Sequence, residues 1–148
     1  MARTVWNEWE RRELLDRVGR LSADTRPRWG RMDAPRMVAH LTAALRMATG
    51  ELPVKPKPGP FKRWPVNVLV MFYMPWPKGA PTAPELKVDG ADTLGHGIDD
   101  LRAAMELVVV RGLPGPWAEH PAFGRLTGEQ WGRLIRRHMD HHLTQFGV

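Results

Sequence analysis

Thr127-Gly128-Glu129-Gln130-Trp131-Gly132-Arg133-Leu134-Ile135-Arg136-Arg137-His138-Met139-Asp140-His141-His142-Leu143-Thr144-Gln145 is the stretch on which the fold turns. Thr127 followed by Gln130 has the form of a capping box, which marks a helix start. Trp131, Leu134, Ile135, His138 and His142 then recur with the spacing of one helical face. The reading is a helix over about 127–146. His138 and His142 stand four residues apart, so a helix stacks them one turn apart on the same side. Two imidazoles so placed can ligate one metal ion.

Working outward, a second helix is expected over 33–49. Asp33 suits an N-cap, Pro35 the first turn and Gly50 the terminator. Its apolar stripe is Met37, Leu41, Ala44, Leu45 and Ala48, and His40 sits among them. Three imidazoles on an apolar face cost free energy unless they find partners. A shared divalent ion gives one to all three and leaves a position open. His40, His138 and His142 are therefore the candidate metal ligands. His141 leaves its helix on another face, which makes it exposed or a neighbour of the ligands. Asp140 is also off the ligand face. His120 precedes Pro121 and reads as structural, and His96 as a turn or cap residue.

The remaining chain is read more coarsely. A helix over 5–21 carries Trp6, Trp9, Leu14, Leu15, Val18 and Leu21 at helical spacing, with both tryptophans as packing residues alongside Trp131. Another covers 97–111, burying Ile98, Leu101, Met105, Val108 and Val109, with Asp99 and Asp100 in its first turn. The apolar run 66–73 is expected to be a short extra helix, because nothing else in the chain offers a strand partner. Proline-rich stretches on either side of it are expected to be loops bordering the metal mouth. Trp29, Trp64, Trp76 and Trp117 lie in or beside connections, where they either line a pocket or seal the bundle ends; sealing is the preferred reading. No serine or cysteine nucleophile arrangement and no glycine-rich phosphate loop is visible.

Composition bounds these readings. At 148 residues the chain suits a single domain, 1–148, and 43% hydrophobic with 26% charged residues is ordinary for a globular protein. There is no cysteine, which excludes disulfides and thiolate metal sites and leaves His, Asp and Glu as ligands. Residues 1–12 lack an apolar signal region and no run is long enough to span a bilayer, so a cytoplasmic location is expected. The net charge of +6 raises nucleic acid as a partner, but the arginines are scattered among acids and apolar residues. Dispersed, solvated helix faces are expected, with no specific nucleic-acid partner.

Three segments resemble the DinB-like (YfiT-like) metalloenzyme superfamily, over essentially the whole chain. Trp29-Gly30-Arg31-Met32-Asp33-Ala34-Pro35-Arg36-Met37-Val38-Ala39-His40-Leu41 resembles its second-helix signature. His120-Pro121-Ala122-Phe123-Gly124-Arg125-Leu126, then Trp131 and His138-x-x-x-His142-x-x-Gln145, look like its last helix and the loop leading in. Pro77-Lys78-Gly79-Ala80-Pro81-Thr82-Ala83-Pro84-Glu85-Leu86 is similar to an uncharacterised branch. The resemblance implies an all-α, up-down-down-up four-helix bundle, with the long 50–96 connection making the crossover. It implies zinc or nickel held by His40, His138 and His142. It further implies a metal-dependent enzyme, a thiol-dependent transferase or a hydrolase, acting on a small molecule such as a low-molecular-weight thiol, as a monomer or homodimer. Two other classes stay open: a non-catalytic metal- or ligand-binding bundle, and a basic nucleic-acid binder.

Overall fold

The computed structural model describes residues 2–80 and 82–148. Pro81, within the segment that resembles the uncharacterised branch, lies outside the described residues. Five α-helices follow in order: α1 Glu8–Gly19, α2 Ala34–Thr49, α3 Val66–Phe72, α4 Leu94–Arg111 and α5 Gly128–Gln145. Among the described residues there is no strand, only an isolated bridge between His120 and Gly124. Among the described residues no helix is long and apolar enough to cross a membrane.

The caps explain the helix bounds. Thr127 and Gln130 form the reciprocal capping box of α5. The Asp33 side chain accepts from Arg36 N at the start of α2, and Gly50 ends it in the left-handed region at φ 86°. The four long helices touch in a circuit: α2 on α4, α4 on α1, α1 on α5 and α5 on α2, with α3 also against α5. Leu14, Val18, Met37, Leu41, Leu101, Met105, Trp131 and Leu143 fill the space between them, each 2% exposed or less.

Several expectations need correction. α1 begins at Glu8, with Asn7 as its cap; residues 4–6 are not helical but dock on α5. Val5 N donates to Gly132 O at 3.2 Å and Trp6 Nε1 to Gly128 O at 3.0 Å. A Cβ on Gly132 would sit 2.2 Å from Trp6 Nε1, so this approach requires glycine. Trp9 is 69% exposed, because its position five and nine residues before the buried Leu14 and Val18 places it on the opposite side of α1. α4 starts three residues early, capped by the Thr93 side chain, so Asp99 and Asp100 fall in its second turn. Val109 is on the solvent side of α4, and Trp64, at 79% exposure, seals nothing. The short helix at 66–72 forms where expected.

Candidate metal centre

α2 and α5 bring His40, His138 and His142 together at their contact. His40 Nε2 lies 3.0 Å from His138 Nε2, and His142 Nε2 lies 3.1 Å from that same atom. The rings meet edge-on, with centroids 4.8–4.9 Å apart. Three Nε2 atoms thus converge on one point.

The outer nitrogens reveal what these atoms carry. His40 Nδ1 is 3.0 Å from the Leu86 carbonyl, which only accepts, so Nδ1 holds the proton and Nε2 a lone pair. His142 Nδ1 is 2.8 Å from Gln145 Oε1, and Gln145 Nε2 donates to Trp29 O at 2.8 Å, which fixes the amide orientation. His142 Nε2 is therefore also a bare lone pair. Both lone pairs face His138 Nε2, which has one in-plane direction and at most one proton to offer. Hydrogen bonding alone cannot satisfy this arrangement. A divalent ion satisfies all three nitrogens at once. Zinc bound at about 2.0–2.1 Å in tetrahedral geometry needs nitrogens about 3.3–3.4 Å apart; the two pairs at His138 stand at 3.0 and 3.1 Å, and all three atoms lie within 4.8 Å of one another. The donor set therefore fits a divalent transition metal. Leu86 O and Gln145 play the part of outer partners that hold ligand tautomers.

Electrostatics agree with neutral, ligand-ready rings. Burial lowers His40, while the Leu86 contact opposes it. His138 is held well below the ordinary histidine range by burial first, then by His142 and His40. His142 is pushed down to about 4, again mainly by burial.

Beside the triad lies a cavity of about 830 Å³. Its walls include Met32, Met47, Trp29, Trp76 and Phe123, and its rim draws on the proline-rich segments through Lys57, Pro77 and Lys87. Trp29 and Trp76 are thus cavity walls. Arg137 braces Trp76: its guanidinium lies 4.6 Å from the ring centroid and donates to Met71 O and Met74 O. His141 does not join the cluster; it is half-buried against Trp29 and Trp76, with centroids 5.9 and 5.8 Å away. His96 is exposed and pairs with Asp92 at 2.7 Å beside the α4 cap; that bond raises the His96 pKa. Asp140 is bound to Arg17 at 2.7 Å, on the other side of α5.

The sequence reading missed Leu86 and gave no role to Gln145. Gln145 was accessible to it, standing three residues after His142 on a helix. Leu86 acts through its backbone carbonyl, for which side-chain identity carries no signal.

A family model described as protein of unknown function (DUF1569) matches residues 12–147. No curated protein and no solved structure matches the chain.

Proposed function

The chain belongs to the DUF1569 family, and from that premise we propose that it is a divalent-metal-dependent enzyme of the DinB-like type, holding zinc or nickel through His40, His138 and His142. The observation that carries this reading is the pair of Nε2 lone pairs, on His40 and His142, aimed at the Nε2 of His138. The circuit of long helices fits a bundle in which the ligands come from the second helix and the last; its up-down-down-up order is part of the proposal. When bound, such an ion supplies Lewis acidity and activates a thiol or water as a nucleophile near neutral pH. His40, His138 and His142 would hold the ion with one ligand fewer than a closed structural site, as catalytic sites do.

The chain's own residues would do the rest. Leu86 O and Gln145 keep the ligand nitrogens bare. The Trp29 and Trp76 rings, the latter held by Arg137, wall the cavity and limit water. Among the described residues no carboxylate joins the triad as a general base: Asp140 is engaged with Arg17 and Arg136 on the far side of α5, and Asp89, the one acid in the cavity lining, is exposed to solvent. Thiol transfer is the preferred chemistry, because a thiol activated as thiolate needs no further base to act. A metal site kept for ligand binding without turnover is the second reading, favoured by that same absence of a base.

Cobalt(II) substitution tests the proposal. The expected result is one cobalt per chain with the intense visible bands of a four-coordinate site, and a new sulfur-to-cobalt charge-transfer band on adding a small thiol such as 2-mercaptoethanol. A six-coordinate cobalt spectrum unchanged by the thiol would exclude thiol transfer.

A further inference from the structure

His120 sits in the loop before α5, and three of its four polar groups are committed. Its backbone N–H and C=O both pair with Gly124, each at 2.9 Å. Its Nδ1 accepts from Ala122 N at 3.0 Å and Phe123 N at 3.1 Å. Two converging N–H groups can only be met by a lone pair, so the ring proton must be on Nε2. The ring packs against Phe123 and Trp131, with centroids 4.7 and 5.5 Å away. Nε2 alone has no partner among the described residues, nor is it one of the fully enclosed unpaired atoms. His120 lines the cavity beside the triad, and Nε2 is its one uncommitted polar atom. Burial holds the ring down to about 4, so it is neutral at pH 7.

A structural histidine would close its last polar group on the protein. This one keeps a single uncommitted N–H, rigidly held, on a residue that lines the cavity. The charged side chains lining that cavity outside the histidines are Arg31, Arg36, Lys57 and Lys87 against Asp89 alone. Lys57 is also tied to the His120 loop, since its backbone N–H donates to Pro121 O at 2.9 Å. A fixed donor, a surplus of cations and walls of Met, Trp and Phe suit one ligand chemistry: an apolar body ending in an anionic oxygen acceptor.

We infer that His120 is a binding residue of this cavity, donating from Nε2–H to a ligand that carries a carboxylate or related oxyanion on an apolar body. The inference rests on the cavity being the ligand site of the proposed enzyme, but it does not require the metal. Preorganisation is the advantage: the backbone clamp sets the donor's direction before the ligand arrives.

The test uses hexanoate as probe, on the full chain, with and without zinc. In the metal-free protein, long-range 1H–15N correlation spectra should show His120 protonated on Nε2, and that signal should move as hexanoate binds. His120→Asn keeps an oxygen acceptor for Ala122 and Phe123 but removes the Nε2 donor; it should bind hexanoate about tenfold more weakly. His120→Gln restores an N–H near the Nε2 position and should recover to within about threefold. Zinc capacity should be the same in all three proteins. A hexanoate-induced shift in a chain that takes up no zinc would still support His120 while removing the metal reading. Protonation on Nδ1, no hexanoate binding, or wild-type affinity in His120→Asn would overturn the assignment.

Discussion

On one side of α5, Arg136 is buried at 3% exposure and surrounded by acids. Its Nε donates to Glu10 Oε2 at 2.6 Å, and Asp140 and Glu13 lie within ion-pair range. Arg3 and Arg17 close the cluster by pairing with Glu10 and with Glu13 and Asp140. On the other side of the same helix, His138 and His142 meet His40 with lone pairs that the protein leaves unmatched. The first face meets burial with opposite charges, apart from one oxygen of Glu13 and one nitrogen of Arg136 that make no hydrogen bond. The second face presents a set of three imidazoles that could hold a divalent ion. The contrast separates a charge-balanced polar cluster from a candidate binding one: both are buried and polar, but the first is compensated by opposite charges, whereas the second brings three imidazoles together beside the cavity of about 830 Å³.

Removing Arg136 should give the largest effect. Arg136→Ala leaves Glu10, Glu13 and Asp140 short of their central cation, and a broken buried pair costs about 3–5 kcal/mol. Urea denaturation of metal-free protein checks this. A loss below about 1 kcal/mol would place Arg136 with ordinary surface ion pairs and erase the contrast.

The two faces should also fail in different pH windows. His40, His138 and His142 have folded pKa values below the ordinary 6.5. The unfolded chain therefore takes up protons first as pH falls, and metal-free stability should decline from about pH 6.5 toward about 4, where His142 titrates in the fold. Glu10 and Asp140 are also lowered. Burial opposes that shift, and Arg3, Arg136 and Arg17 outweigh it. Their contribution is present above the unfolded carboxylate values and is lost below about pH 4 as each protonates through its depressed pKa. Thermal melts across pH 3–8 should show two declines, and replacing His138 should shrink only the upper one.

A smaller effect is expected at Gly30. It adopts φ +82°, and a Cβ there would lie 2.9 Å from Gln145 Nε2. Gly30→Ala should displace Gln145, loosen the His142 tautomer and weaken metal binding about tenfold, the low end of losses at outer partners of metal ligands. Competition with a chromogenic chelator measures it. The smallest effect belongs to Trp9, whose replacement by Ala should change stability by less than about 0.5 kcal/mol because it faces solvent.

The legible parts of this molecule share a physical cause. α2 and α5 carry both periodicity and paired end signals, Asp33 with Gly50 and Thr127 with Gln130, so local sequence determines them. The three candidate ligands follow from those two helices alone. The start of α1 was hidden because Val5 and Trp6 continue the helical spacing while making non-helical contacts with Gly132 and Gly128, over a hundred residues away. Asn7 and Glu10 offered a local cue, since the Asn7 side chain caps Glu10 N. Thr93 offered another, capping His96 N at the start of α4. The cavity was legible only as proline-rich loops near the site; its size and its cationic rim arise from segments distant in sequence. His120 was legible only as structural, and its Nδ1 does brace the loop through Ala122 and Phe123; that Nε2 is left uncommitted depends on backbone geometry that residue types do not encode.

Metal content of untagged protein, purified without added metal and then titrated with zinc, tests the central claim most directly. The wild-type chain should hold close to one equivalent, and removing the ion with a chelator should lower the melting temperature. His138→Ala should lose tight binding, since two imidazoles make a poor site, whereas His141→Ala should keep it. A native chain that takes up no transition metal, or a His138→Ala variant that retains it while His141→Ala does not, would contradict the account.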